Sequence, residues 1–293
     1  FKQKTAYEIS LGLVGSEMCI RDRVDGSSLV FKGHPLRLII TRSAVFSHSQ
    51  RRINVVRING VYKVLVRIVD ELPFLGDIDD FLRILESYTL SYLESTTINE
   101  ICKKYGADLI DLVLKDGPLY NINNEGISDM LSSLYKLGIP IIGVVKNSYS
   151  KFVTKAINID NMFDSDFFSF LLVPNSRSPF FMLVDEKSEQ HKLVMTYYMT
   201  PRRTIMRIEV PYWVYEEYGP DLIASYIAAD TILGKGHFSY ILSRADKISK
   251  FSENEKKILL RQLEKMLLSY GSKAPYFFNE YRWGLHSLRN RVR

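Results

Sequence analysis

The sequence predicts an α/β fold in which a mixed sheet of five strands is flanked by helices. Three observations support this. Short apolar, β-branched runs alternate with amphipathic segments from residue 77 onward, which implies parallel strands joined by helical crossovers. The pair Asn59-Gly60, set between two β-rich arms, signals antiparallel pairing earlier in the chain. Hydrophobic residues make up 46% of 293, enough for a substantial core.

The elements follow in order. LRLIITRSAVF, residues 36–46, reads as a strand, and INVVRINGVYKVLVRIV, residues 53–69, reads as a hairpin turning at Asn59-Gly60. Residues 77–94 place apolar side chains at 78, 81, 82, 85, 88 and 92, which is helical spacing. INEICKKYG is a second helical piece capped by Gly106, and ADLIDLVLKDG, residues 107–117, is a largely buried strand. ISDMLSSLYKLG predicts a helix closed by Gly138, and IPIIGVV, residues 139–145, another apolar strand. FFMLVDE and KLVMTYYM flank polar KSEQ as a hairpin, and residues 202–213 form a further strand. Residues 221–234 read as a helix. The last long helix opens at SENE, residues 252–255, a capping box. These later elements are expected as hairpin and C-terminal helical additions to the five-stranded core.

No run of about 18 apolar residues suggests a membrane span. Cys19 and Cys102 have no metal-ligand spacing, which argues against a zinc site or a disulfide framework and suits a reducing cytoplasm. The formal charge of +6 fits a polyanionic partner but is shared by many proteins without one.

The first 23 residues lack the marks of a secretory signal. Gly12, Gly15 and Ser16 interrupt the apolar stretch, and Glu8 and Glu17 flank it. The segment resembles the peptide translated from a sequencing adapter, so native sequence is expected from about Val24, with residues 24–293 as one domain. It holds four basic and three acidic residues, so the remainder keeps +5.

Chemistry points to two aspartates. Asp116 ends an apolar strand before Gly117-Pro118, and Asp25 precedes Gly26-Ser27. An Asp at a strand's carboxyl end faces the crevice where α/β proteins bind ligands, although Asp-Gly is also a plain turn dipeptide. Two carboxylates at the ends of adjacent strands repel unless a cation lies between them. Magnesium and manganese prefer such oxygen ligands, and a metal pair about 4 Å apart serves phosphodiester hydrolysis. Glu86 lies at the edge of the first helix's apolar stripe, where it reaches a site or stays on the surface. Glu94 falls further round and reads as solvated.

The motifs VDGSS, RILES, LKDGPLY, IIGVVKNS, RIEVP and SRADKIS occur in this order from Val24 onward. In this order and spacing the sequence resembles the NurA nucleases of archaea and some bacteria, which have a ribonuclease-H-like core. The resemblance implies that Asp25 and Asp116 bind metal and that Glu86 is the helical acidic residue, with Glu94 and Glu100 as rivals. It implies that Lys146 neutralises phosphate charge, where the residues alone suggest a solvated lysine. Arg207 and Glu209 match a strand motif and, by alternation, share one face as a salt-bridged pair or a DNA contact.

The chain departs from the family at Asp246, where many members have histidine; Asp246 is expected as a ligand, with His237 a weaker candidate. The resemblance further implies Mn2+ or Mg2+, degradation of DNA from 5′ ends, and cleavage of single and double strands. It implies end resection beside a HerA-type hexameric translocase, and a homodimer. A non-catalytic DNA-binding adaptor of the same translocase is the alternative. Aromatic clusters in TYYM, PYWVYEEY and APYFFNEYRW could stack on bases or fill the core, and the tail holds Arg282, Arg289, Arg291 and Arg293.

Overall fold

A computed structural model describes residues 21–32, 37–48, 60–69, 78–120, 125–183, 191–234 and 239–269. Nine strands form one sheet: β1 (Arg21–Lys32), β2 (Arg37–His48), β3 (Gly60–Val69), β4 (Leu112–Asp116), β5 (Ile141–Val145), β6 (Ser176–Arg177), β7 (Phe181–Leu183), β8 (Leu193–Met199) and β9 (Ile205–Pro211). Their order is β3-β2-β1-β4-β5-β9-β8-β6, with β7 pairing β8. The helices are α1 (Ile78–Tyr105), α2 (Glu125–Leu137), α3 (Phe152–Ala156), α4 (Asp164–Leu171), α5 (Tyr212–Leu233), α6 (Tyr240–Ser249) and α7 (Glu253–Ser269).

The expected mixed core is present. β1, β2 and β3 are antiparallel, while β1, β4 and β5 run parallel. The later strands do not form a separate addition. β9 pairs antiparallel with β5, so the sheet continues through β9 and β8 to nine strands.

Gly60 opens β3 and pairs with Val45 of β2, and the expected turn and first arm of the hairpin before it, residues 53–59, are not among the described residues. Two expectations need correction, on the first helix and on Asp25. The two helical pieces before β4 are one 28-residue helix, because no breaker separates them. Gly106 ends it at φ +69, a conformation that favours glycine. Asp25 does not end a strand, since β1 runs on to Lys32. β1 is described from Arg21, which pairs with Leu112. Ladder hydrogen bonds use the backbone and accept most side chains.

Alternation sends neighbouring strand residues to opposite faces. One face packs Val45, Val113, Ile141 and Met195 against α1, α2 and α4. The other packs Phe46, Leu114, Val144 and Val194 against α5 and α6. A kink at Gly219-Pro220 divides α5, and its second limb matches the helix expected from residue 221. The capping box before α7 is formed: Ser252 N–H donates to Glu255 at 2.7 Å and Glu255 N–H to Ser252 Oγ at 3.2 Å. Among the described residues no helix is long and apolar enough to cross a membrane.

Candidate active site

The parallel pairing of β1 and β4 ends at Val24 and Lys115. Asp25 and Asp116 are therefore the next residue on each strand, where the two chains part. Both face the α5–α6 side. Asp116 pairs with Val144 of that core, and Asp25 with Ala44, two residues from Phe46 of that core. Asp25 is 4% exposed and its Oδ1 accepts the Gly26 N–H at 2.8 Å. Gly117 turns the chain sharply after Asp116 at φ +86 and donates its N–H to the Val144 carbonyl at 2.9 Å.

Asp246 reaches the same face from α6. Its Oδ2 accepts from Lys250 Nζ at 2.6 Å. That hydrogen bond, the charge of Asp246 and the charge of Asp25 all push the Lys250 pKa up. One ammonium thus answers two carboxylates. Lys146, just past β5, donates to Asp116 Oδ2 at 2.6 Å in a half-buried ion pair. Among the described residues no three His, Cys, Asp or Glu side chains form a ready metal cluster.

The helical acids lie on the opposite face. Glu86 accepts from Ser28 Oγ, well along β1 from Asp25. Glu94 is not solvated as its position on the helix suggested; it is 5% exposed. Its carboxylate fills the space left by Gly26: a Cβ there would strike Leu90 and lie 2.9 Å from Glu94 Oε1. Glu94 Oε2 takes Lys115 Nζ at 3.1 Å, and the same ammonium donates to the Asp116 carbonyl at 2.9 Å. This buried ion pair therefore braces both aspartate positions from behind. Glu100 is exposed, and His237 lies outside the described residues.

Arg207 and Glu209 form a buried ion pair at 2.7 Å. Glu209 Oε2 accepts the N–H groups of Leu119 and Tyr120, at 2.7 and 2.9 Å, and so holds the loop after Asp116. Arg207 donates to Ser148 Oγ at 2.9 Å and holds the loop after Lys146. Their role here is to fix the two site loops. Of the aromatic clusters, Tyr197 and Tyr198 are core residues.

Sequence reasoning missed Asp164, which anchors that second loop. Its buried carboxylate accepts from the N–H groups of Phe152, Val153 and Thr154, and from the hydroxyls of Ser150, Thr154 and Tyr197. Burial alone would raise its pKa. The donors outweigh burial and hold it below its ordinary 3.8. The stabilisation is therefore complete above about pH 4 and is lost as pH falls through the lowered folded value. Asp164→Asn is expected to cost about 2–4 kcal/mol in urea unfolding at pH 7, since an amide turns a donor toward donors. The gap to the parent closes at lower pH.

The sequence matches the NurA domain over residues 24–251. Among solved structures, the NurA nuclease from Sulfolobus solfataricus superposes with TM-score 0.55 at 11% identity, covering 87% of this chain and 86% of that one. A NurA bound to dAMP and manganese gives 0.54 at 10% identity, covering 88% and 90%. A NurA with manganese gives 0.54 at 9%, covering 87% and 90%. No curated protein matches the chain in sequence.

Proposed function

This chain belongs to the NurA family, and on that premise we propose that it is a DNA nuclease that hydrolyses phosphodiester bonds with Mn2+ or Mg2+. The observation that supports this best is the placement of Asp25 and Asp116, side by side on one face where β1 and β4 diverge, with Asp246 on that same face. Like charges so placed need a cation. Lys250 is paired with Asp246 and Lys146 with Asp116. All three carboxylates offer hard oxygen donors, so the residues fit the metal. Asp25, Asp116 and Asp246 would hold it.

A divalent ion bound there would lower the pKa of a water and polarise the phosphate. The chain's own contribution is electrostatic and positional. Lys146 Nζ lies beside Asp116 and places a positive charge where a scissile phosphate would gain negative charge. Arg207 and Glu209 keep the loops bearing Asp116 and Lys146 fixed, so little reorganisation is needed when substrate arrives. Glu86 bonds Ser28 on the opposite face and stands apart from these three carboxylates, and Glu94 braces the site rather than lining it.

The finer reading follows the family. The protein would degrade DNA from 5′ ends as a homodimer in the cytoplasm, in end resection beside a HerA-type translocase. The test is manganese-dependent cleavage of 5′-labelled and 3′-labelled DNA. Release of label first from the 5′ end supports the reading. A folded protein that binds DNA and cleaves neither substrate would overturn it and leave the adaptor.

A further inference from the structure

The loop leaving β5 holds a feature that hydrolysis does not use. Tyr149 is 77% exposed, and it lies three residues beyond Lys146, within about 11 Å of chain. Its ring meets exposed Phe163 edge to face, with centroids 5.5 Å apart. Lys151 Nζ lies 5.3 Å from the Phe163 ring centre and donates to the Asp160 carbonyl at 2.7 Å.

The pedestal under Tyr149 is fixed on both sides. Ser148 is buried and takes Arg207, while Ser150 bonds Ser148, Tyr197 and Asp164 at 2.8, 2.8 and 3.0 Å. Tyr149 is thus aimed outward between two anchored residues. A ring held this way loses little conformational freedom when something stacks on it. Lys146, Lys151 and Lys155 lie on the Tyr149 side, while Asp160, Asp164 and Asp166 flank Phe163, with Asp164 buried on its loop donors. An outward aromatic pair edged by ammonium groups suits a base with its phosphates. A duplex keeps its bases stacked on each other, so the ring is open only to an unpaired strand.

We propose that Tyr149, backed by Phe163 and Lys151, is a stacking platform for an unpaired nucleobase next to the scissile phosphate. Its placement rests on the nuclease reading of Asp116 and Lys146. The Lys151 ammonium beside the rings is the group that favours a phosphate-bearing partner.

The test is fluorescence anisotropy with labelled oligodeoxythymidylate and with a blunt duplex, both in EDTA so that no cleavage is required. Tyr149→Ala is expected to weaken single-strand binding about tenfold and to change duplex binding by less than about twofold. Tyr149→Phe should keep parental affinity. Unchanged single-strand affinity in Tyr149→Ala overturns the proposal, as does an equal loss for the duplex. A changed oligomeric state with DNA binding intact assigns the ring to a protein contact and overturns it too. A chain that binds single strands through Tyr149 but never cleaves would overturn the nuclease reading alone. A chain that cleaves while Tyr149→Ala binds as the parent does would overturn the platform alone.

Discussion

Asp116→Asn is expected to fold as the parent does, to bind DNA, and to lose manganese-dependent cleavage by at least about a thousandfold, or about 4 kcal/mol of barrier. The side chains differ by one atom type, so the sharp turn at Gly117 and the pairing with Val144 survive. What goes is a charge. Asp116 is the carboxylate held by Lys146, and Asn leaves that ammonium without its counter-ion. The pair is about a quarter exposed on each side, so its loss costs under about 1 kcal/mol of stability. Three readouts separate the causes. Melting reports the fold, anisotropy in EDTA reports DNA binding, and the manganese-induced rise in melting temperature reports the ion. Cleavage within tenfold of the parent would remove Asp116 from the chemistry. Lost cleavage with an undiminished manganese response would leave it a role in substrate positioning only.

The core was legible because β4 and β5 are short, apolar and bounded by glycines. The two Asp-Gly steps marked the aspartates for different reasons: Gly117 turns the chain at φ +86, whereas Gly26 stays in β1 and leaves room for Leu90 and Glu94. The rest was hidden by long-range partners. Glu94 sits in α1 among Thr89, Ser95 and Thr97, all buried polar residues, so the apolar stripe drawn from residues 78 to 92 gave it the wrong face. Ser95, Thr96 and Thr97 lie between the two helical pieces expected from the sequence. The helix tolerates these hydroxyls when buried because Ser95 and Thr96 bond back to carbonyls of their own helix, and Thr97 meets Ser43 of β2 at 2.7 Å. Asp164 and Lys115 carry no local signal, since the donors of Asp164 come from residues 150–154 and from β8, and the partner of Lys115 from α1. Helix α6 is ten residues long, and only Ile241, Leu242 and Ala245 mark its inner face.

Lys115→Met is the second large expected effect, and it falls on stability. Lys115 is 1% exposed in the strand that ends at Asp116, and its ammonium joins Glu94 to the Asp116 carbonyl. Methionine fills the volume but leaves the Glu94 carboxylate buried without that cation. Removing one partner of a buried pair costs about 3–5 kcal/mol, because the remaining charge keeps its desolvation penalty. Urea unfolding is expected to show that loss. Adding Glu94→Gln should recover about half or more of it, since the neutral amide still fits the space beside Gly26. The double-mutant cycle isolates the coupling, and a coupling under about 0.5 kcal/mol would mean that the pair contributes little. The brace also lies directly behind both aspartates, so the double variant has a further use. If it is as stable as the parent but slower in cleavage, Glu94 and Lys115 set the spacing of Asp25 and Asp116. If it cleaves as the parent does, the pair only holds β1, β4 and α1 together.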